Sequence, residues 1–477
     1  MPLLAGTNLA YGRTDRDIWT ISPPISTLLL PTNEFFPRRV YIIRCLTLAK
    51  TVFRSEDVYL EPLFTDVPAR ATHFSAEARL ILDKAGTRGN ESCRQRMLDA
   101  DREGFKNDNI RRLTSASLDR VLNGINKLGA RDSCDNLFSW ILREITIATS
   151  YALFGPDNPL ENKENRVIED PLSTFRQNSL WLVAARLRAY RIRANLRKDY
   201  SDYHLSAYDQ KPKVSNIIQK RGNIYRCKYI HADDVGRLHL SLLEVATEEL
   251  VATTFLMLVH IAADPDATEI IRNNLQNAIV KFKTNGKTTA ILKVSKLDHC
   301  CPLLTSAYFE ALRLVNSRVR TRRVIRDTEV LDGTRSYVLR AGAAIHVTAA
   351  SSNMSSVIWK NNAASFHKER FLARGMSYGS AQTPLHEQMR ALFPFASKSL
   401  PFPGEDHAFA LACAIFAALI VSRDITGEDG KPFQLPETYQ SELAKVVANP
   451  YSKDSRIGAT LTQREEEWQN VDFKFVL

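Results

Sequence analysis

Apolar positions along the chain repeat either every three to four residues or every second residue, and the two periods divide it into helices and strands. Arg39 to Arg44 alternates as a strand does, and Leu46 to Arg54 then predicts a short helix. From about 72 to 130 the helical period is broken near Gly86–Gly89 and at Gly104. Leu137, Ile141, Ile145 and Ala148 form one stripe, which predicts an amphipathic helix over 133–155, capped by Asp132 or Ser133 and stopped by Gly155-Pro156. Leu172 to Tyr200 is helical, with six basic residues between Arg186 and Lys198. These form either a solvated face or one that meets a membrane or partner. The longest helix spans 233–262, starts at an Asp233 or Asp234 cap and closes at Asp264-Pro265. It is apolar nearly all round, as a central core helix is, yet it carries Glu244, Glu248 and Glu249.

Further helices are predicted from Asp264 and over Cys301 to Val315. The period then turns to two, with strands over Arg322 to Val330, Ser336 to Leu339 and Ala344 to Ala349, separated by Asp332-Gly333 and Ala341-Gly342 turns. A last core helix covers about 404–423, and Phe473 to Leu477 can form a strand. The expected class is mainly α with a small β-region. The 477 residues show no linker, repeat or low-complexity tract, so residues 38–477 are expected to form one large domain behind an N-terminal segment, 1–37.

Composition changes this picture little. The net charge of +11 implies a solvated basic surface, or attraction to an anionic membrane face or acidic redox partner. No zinc, helix-turn-helix or RNA-binding signature points to nucleic acid. Seven cysteines without CxxC spacing indicate reduced thiols and no metal site. The longest apolar run, Leu411 to Val421, is too short to span a bilayer, so a cytoplasmic protein is expected, at most peripheral to the endoplasmic reticulum.

The chemistry concentrates in the C-terminal half. Glu310 and Arg313 stand three apart on one helix face in Tyr308-Phe-Glu-Ala-Leu-Arg-Leu314, where they can pair. Arg322-Arg-Val-Ile-Arg-Asp-Thr328, Gly333, Tyr337 to Gly342 and Ile358 to Leu372 follow, the last holding Glu369-Arg370-Phe371. That order and spacing resembles the cytochrome P450 superfamily. Arg143-Glu-Ile-Thr-Ile-Ala-Thr149 and Phe154-Gly-Pro-Asp-Asn-Pro159 are similar to its fungal branch related to prostacyclin synthase and sterol hydroxylases. The resemblance implies a P450-like fold, a buried network of Glu310, Arg313 and Arg370, and a contact from Arg322 to a haem propionate; Arg322 is alternatively a strand arginine or a substrate-carboxylate partner.

The chain departs from that family in two places. In Phe395-Ala-Ser-Lys-Ser-Leu-Pro-Phe402-Pro-Gly404 the first expected glycine is Lys398 and the position of the thiolate ligand is Phe402, which has no lone pair to give a metal. Glu405 follows where a basic residue is common. Cys413 and His407 are distant substitutes. On the long helix the family's acid–threonine pair corresponds to Glu248-Glu249, and Thr253-Thr254 matches the threonine only in a shifted register. The expectation that follows is a haem-independent enzyme without cofactor, a fungal secondary-metabolite cyclase, isomerase or pericyclase for an apolar polyene, terpene or polyketide-like substrate. Glu248, Glu249 and His407 are its candidate acid–base residues, and Arg322, Phe402 and Thr253 its substrate-binding ones. A carboxyl in an apolar site can donate a proton near neutrality. The alternatives are a haem-binding monooxygenase with an unusual or absent axial ligand, and a non-catalytic pseudoenzyme that binds a ligand or a biosynthetic partner enzyme. A Soret band separates the first alternative from the leading expectation. Insensitivity to substitution of Glu248 and Glu249 marks the second.

Overall fold

The computed structural model describes residues 18–21, most of 39–60, 74–84, 91–161, 183–284, 287–316, 319–331, 335–348, most of 353–372, Leu392, 404–437, Tyr439, 456–464, Trp468 and 471–477. In chain order the elements are β1 (Ile18–Ile21), β2 (Val40–Ile43), β3 (Val58–Leu60), α1 (Ala76–Asp83), α2 (Cys93–Gly104), α3 (Asn107–Asn126), β4 (Arg131–Cys134) and α4 (Leu137–Phe154). Then come α5 (Val183–Leu205), α6 (Asn216–Cys227), α7 (Ala232–Ala262), α8 (Pro265–Leu275), β5 (Ile279–Thr284), β6 (Lys287–Lys293) and α9 (Pro302–Val315). The chain closes with β7 (Val319–Val324), β8 (Thr328–Leu331), β9 (Ser336–Leu339), β10 (Ala344–Thr348), α10 (Glu405–Ser422), β11 (Arg423–Thr426), β12 (Ala459–Gln463) and β13 (Val471–Val476). The class is mainly α with small sheets.

The chain divides into two compact units. The first comprises Met1–Phe74, Asn316–Ala363 and Arg390–Ser397. Its sheet runs β1-β2-β10-β7-β3, and only the β2–β10 pairing is parallel. Tyr41, Ile43, Val324, Ile345 and Val347 are buried in its core with Leu48 and Val52. The predicted strand over Arg322 to Val330 is in fact two, β7 and β8, because the chain turns between Val324 and Thr328 to start the β8–β9 hairpin.

The second unit comprises Ser75–Val315, Ala364–Met389 and Lys398–Leu477. Its centre is the 31-residue helix α7, about 46 Å long at the α-helical rise. Helix α4 runs antiparallel to it: Phe138 meets Phe255 at 5.2 Å at one end, and Phe154 meets His239 at 5.2 Å at the other. Helix α10 is buried along nearly its whole length. It alone among the described residues is long and apolar enough to cross a membrane, and burial in this core accounts for that composition.

Two helix starts differ from expectation. Asp132 and Ser133 lie in β4 and do not cap α4; Asn136 does, its side chain accepting from Ser139 N. Helix α7 is capped by His231, whose ring accepts from Asp233 N. Asp234 instead accepts from the Ser75 backbone and hydroxyl, and Asp233 pairs with Arg197. The acids expected to cap α7 are instead taken up by distant partners. At the other end of α10, arginines satisfy the orphan carbonyls: Arg272 Nε donates to Ile420 O at 2.8 Å and Arg464 to Val421 O at 3.2 Å.

Candidate functional site

The site is built where α7, α9 and α10 of the second unit approach one another. Glu248 and Glu249 stand half-buried in the middle of α7. One turn earlier Glu244 is committed to Arg193 of α5 at 2.7 Å. Thr247 and Thr254 turn their hydroxyls back to the carbonyls of Leu243 and Leu250, at 2.8 and 2.7 Å, so neither offers a donor outside the helix. Thr253 is buried, and its Oγ1 has no hydrogen-bond partner.

Tyr308 of α9 is where the charges converge. Burial pushes its phenol well above the usual value, with Cys413, Glu405, Glu249 and Asp406 adding to the shift. Two helices, α7 and α10, therefore carry acidic groups whose charge reaches one buried phenol. Phe409 of α10 meets the Tyr308 ring edge-on at 5.0 Å and stacks near Phe309 at 6.1 Å, so the surroundings are aromatic. Glu405 opens α10; burial first, and the neighbouring Asp406 second, push its carboxyl up to about 7. Helix N-termini ordinarily favour carboxylate, so desolvation outweighs the dipole here. In the sequence, Glu405 stands out only as the replacement of a basic residue and Tyr308 only as part of the Tyr308–Leu314 motif. The available signal is a pair of acids, Glu405 and Asp406, opening a helix that is apolar from Ala408 to Val421.

His407, one turn into α10, is buried with Nδ1 3.0 Å from Thr114 Oγ1 of α3. Burial lowers it to about 4, so it is a neutral imidazole at physiological pH. Gly404, just before the helix, has φ +94°, and a Cβ there would lie 2.8 Å from the Phe105 ring. Phe395, Lys398 and Phe402 lie outside the described residues. Arg322 is in the first unit, half-buried on β7 between Leu60 and Ile345.

Glu310, Arg313 and Arg370 are brought together in the second unit. Arg313 grips both oxygens of Glu310 at 2.8 and 2.9 Å, and Arg370 Nε donates to the same carboxylate at 2.9 Å. His367 N adds a fourth bond at 2.9 Å, and both arginines reach Ser365 O. Glu310 and Arg313 are fully buried. The cluster ties the loop around 365–370 to α9.

The sequence model described as Cytochrome P450 matches residues 196–396. A cytochrome P450 monooxygenase of Gibberella zeae is 27% identical over 384 residues, covering 78% of this chain and 72% of that protein. Cytochrome P450 monooxygenase nodJ of Hypoxylon pulicicidum is 24% identical over 340 residues, 69% of this chain and 63% of that protein. Cytochrome P450 monooxygenase poxD of Penicillium oxalicum is 24% identical over 237 residues, 50% of this chain and 46% of that protein. The match over residues 196–396 and the similar fungal monooxygenases support a cytochrome P450 relationship.

This overturns the expectation of no cofactor. A cytochrome is a haem protein, and the family and all three relatives point to haem. Tested against that group, the described donors do not form a thiolate site. Cys413 is fully buried inside α10, and burial keeps its thiol well above the usual value. Burial likewise holds Cys301 up at about 12. Neither supplies a thiolate, which is the form that binds a metal. His407 keeps a lone pair but is buried and engaged with Thr114. The scaffold of the family is present, and no described cysteine stands at the entry to α10 to hold its iron.

Proposed function

We propose that the chain is a haem-binding enzyme of fungal secondary metabolism that acts on an apolar small molecule, with an axial ligand other than a cysteine thiolate. The family match and the relatives' names support the haem and the oxygenase lineage. What supports the departure is the sequence resemblance, which sets Phe402 where the family's ligand is expected, together with Cys301 and Cys413 held as thiols by burial. In this reading Glu248, Glu249 and Thr253 face the substrate from α7 and position its polar groups. No step through the iron is derived, because the described donors do not fit a thiolate site. The test is a pyridine haemochrome assay and absorption spectrum of the chain expressed with haem precursor. One haem per chain is expected, with a carbon monoxide band unlike that of a thiolate-ligated iron. Absence of haem, or a thiolate-type band, defeats the proposal.

A second reading is favoured by Glu405, whose carboxyl near 7 can hold a proton for delivery at neutrality. It is a non-oxidative cyclisation or isomerisation of the same apolar substrate, initiated by protonation. Conversion that needs no reductant and is lost in Glu405→Gln supports it. Conversion that stops without NADPH and a reductase sinks it.

A further inference from the structure

The three-stranded sheet of the second unit has order β13-β6-β5, and its two edges are treated differently. The β13 edge is closed by Asn126 of α3. Its Oδ1 accepts from Phe473 N at 2.9 Å, and its Nδ2 donates to Phe473 O at 3.2 Å and to Asp472 at 2.7 Å. The β5 edge has no neighbouring strand among the described residues. Lys293 N bonds to Ala278 O at 2.8 Å. The alternation of an antiparallel ladder then turns Val280 and Phe282 toward β6, and the backbone N–H and C=O groups of Ile279, Lys281 and Lys283 outward.

The side chains give this edge a chemical character. One face is covered: Phe473, Ala290 and Leu292 are buried, Trp468 stacks on Phe473 at 5.9 Å, and the Lys281 ammonium lies 3.5 Å from the Trp468 ring centroid. The other face shows Val280, Phe282 and Val476, exposed by 42, 44 and 52%. Lys293 and Lys474 stand among them, and Lys283 is exposed on the same strand. Apolar surface beside an open edge is the arrangement that natural sheets avoid unless it is paired. A second copy does not suit it. The antiparallel register that joins all three outward residues of two β5 strands sets Lys281 against Lys281, which is unfavourable.

We propose that the β5 edge is a docking site for an extended acidic segment of a partner protein, added as a fourth strand. Alternating residues give that segment its two functions: carboxylates opposite Lys281 and Lys283, and apolar side chains extending the Val280–Phe282 surface. Backbone bonds to Ile279, Lys281 and Lys283 supply register, and the lysines select the sign of the partner.

The probe is a labelled decapeptide alternating glutamate and valine, titrated into the full chain. Its comparisons are a lysine–valine alternation and a peptide of the same glutamate and valine content arranged in two blocks. The alternating acidic peptide is expected to bind alone among the three, and to slow amide exchange at Lys281 and Lys283. Lys283→Glu, an exposed change, is expected to weaken it by roughly tenfold. Lys283→Pro, which removes an outward N–H and spares the β6 ladder, is expected to abolish the exchange protection. Equal binding of the block peptide, or binding without amide protection, overturns the proposal. So does a chain that dimerises through β5. Binding to phosphatidylserine vesicles that is lost in Phe282→Glu, with no peptide binding, assigns the face to a membrane instead and also overturns it.

Discussion

Gly404 sits at a backbone angle that no β-carbon tolerates easily, and the Phe105 ring closes the space where one would go. Gly404→Ala therefore meets two penalties at once, and a loss of about 2 kcal/mol is expected in denaturant titration. The same measurement on Phe105→Ala,Gly404→Ala separates them: recovery of about half the loss indicates the ring, and none indicates the angle. Glu310 presents the opposite case, a residue defined by its partners. It accepts four bonds from Arg313, Arg370 and His367 N while fully buried. Glu310→Ala leaves two guanidinium groups without their counter-ion and is expected to cost about 3–5 kcal/mol. A midpoint within error of wild type would mean that water reaches the cluster. The pairing of Glu310 with Arg313 is legible in sequence, because three positions bring side chains together on a helix. The roles of His367 N and Ser365 O are not, because they depend on how a distant loop closes.

Among the elements, α7 combines a legible length with an illegible interior. Its apolar circumference predicts burial. Nothing in the pattern reveals that His239 enters a box of Phe154, Tyr200, Tyr203, His204 and Tyr225, with ring centroids 5.2 to 6.4 Å away. Both of its nitrogens are buried without a hydrogen-bond partner. An imidazole kept dry in this way destabilises the fold, so His239→Leu is expected to raise stability by about 1–2 kcal/mol. A fall of similar size would show that a water molecule or ligand bridges the ring to its neighbours. The β5–β6 hairpin was illegible for another reason. Its alternation is interrupted by lysines on the face that a core strand would bury, and its stabilising partner β13 comes from the far end of the chain. The C-terminal strand itself is visible in Phe473 to Leu477, but the sheet it completes is not.

At the scale of the whole molecule, buried titratable groups give the fold a direction of pH sensitivity. Burial lowers His239 to about 3, and His260 and His407 to about 4, from an ordinary value of 6.5. A histidine lowered in the folded state gives stability that is complete above its unfolded pKa and is lost as pH falls toward the folded one. Glu405 acts in the other sense. Its carboxyl is raised from 4.5 to about 7, so its contribution is complete below 4.5 and is lost as pH rises through 7. Of these four groups, between roughly pH 4.5 and 6.5 three gain protons on unfolding and one loses a proton, a net of about two; His346, also lowered by burial, adds in the same direction. Stability is therefore expected to fall with acidification across that window, with a share from these four groups of at most about 3 kcal/mol per pH unit. Chemical denaturation at pH 7.0, 6.0 and 5.0 measures the slope. His239→Leu should remove one proton from the balance and halve that share, whereas Glu405→Gln should steepen it by half. A slope that neither variant changes would mean that His239 and Glu405 are hydrated in the folded chain. The dry aromatic core around Tyr308 would then not exist as described, and the acid–base reading of Glu405 would fall with it.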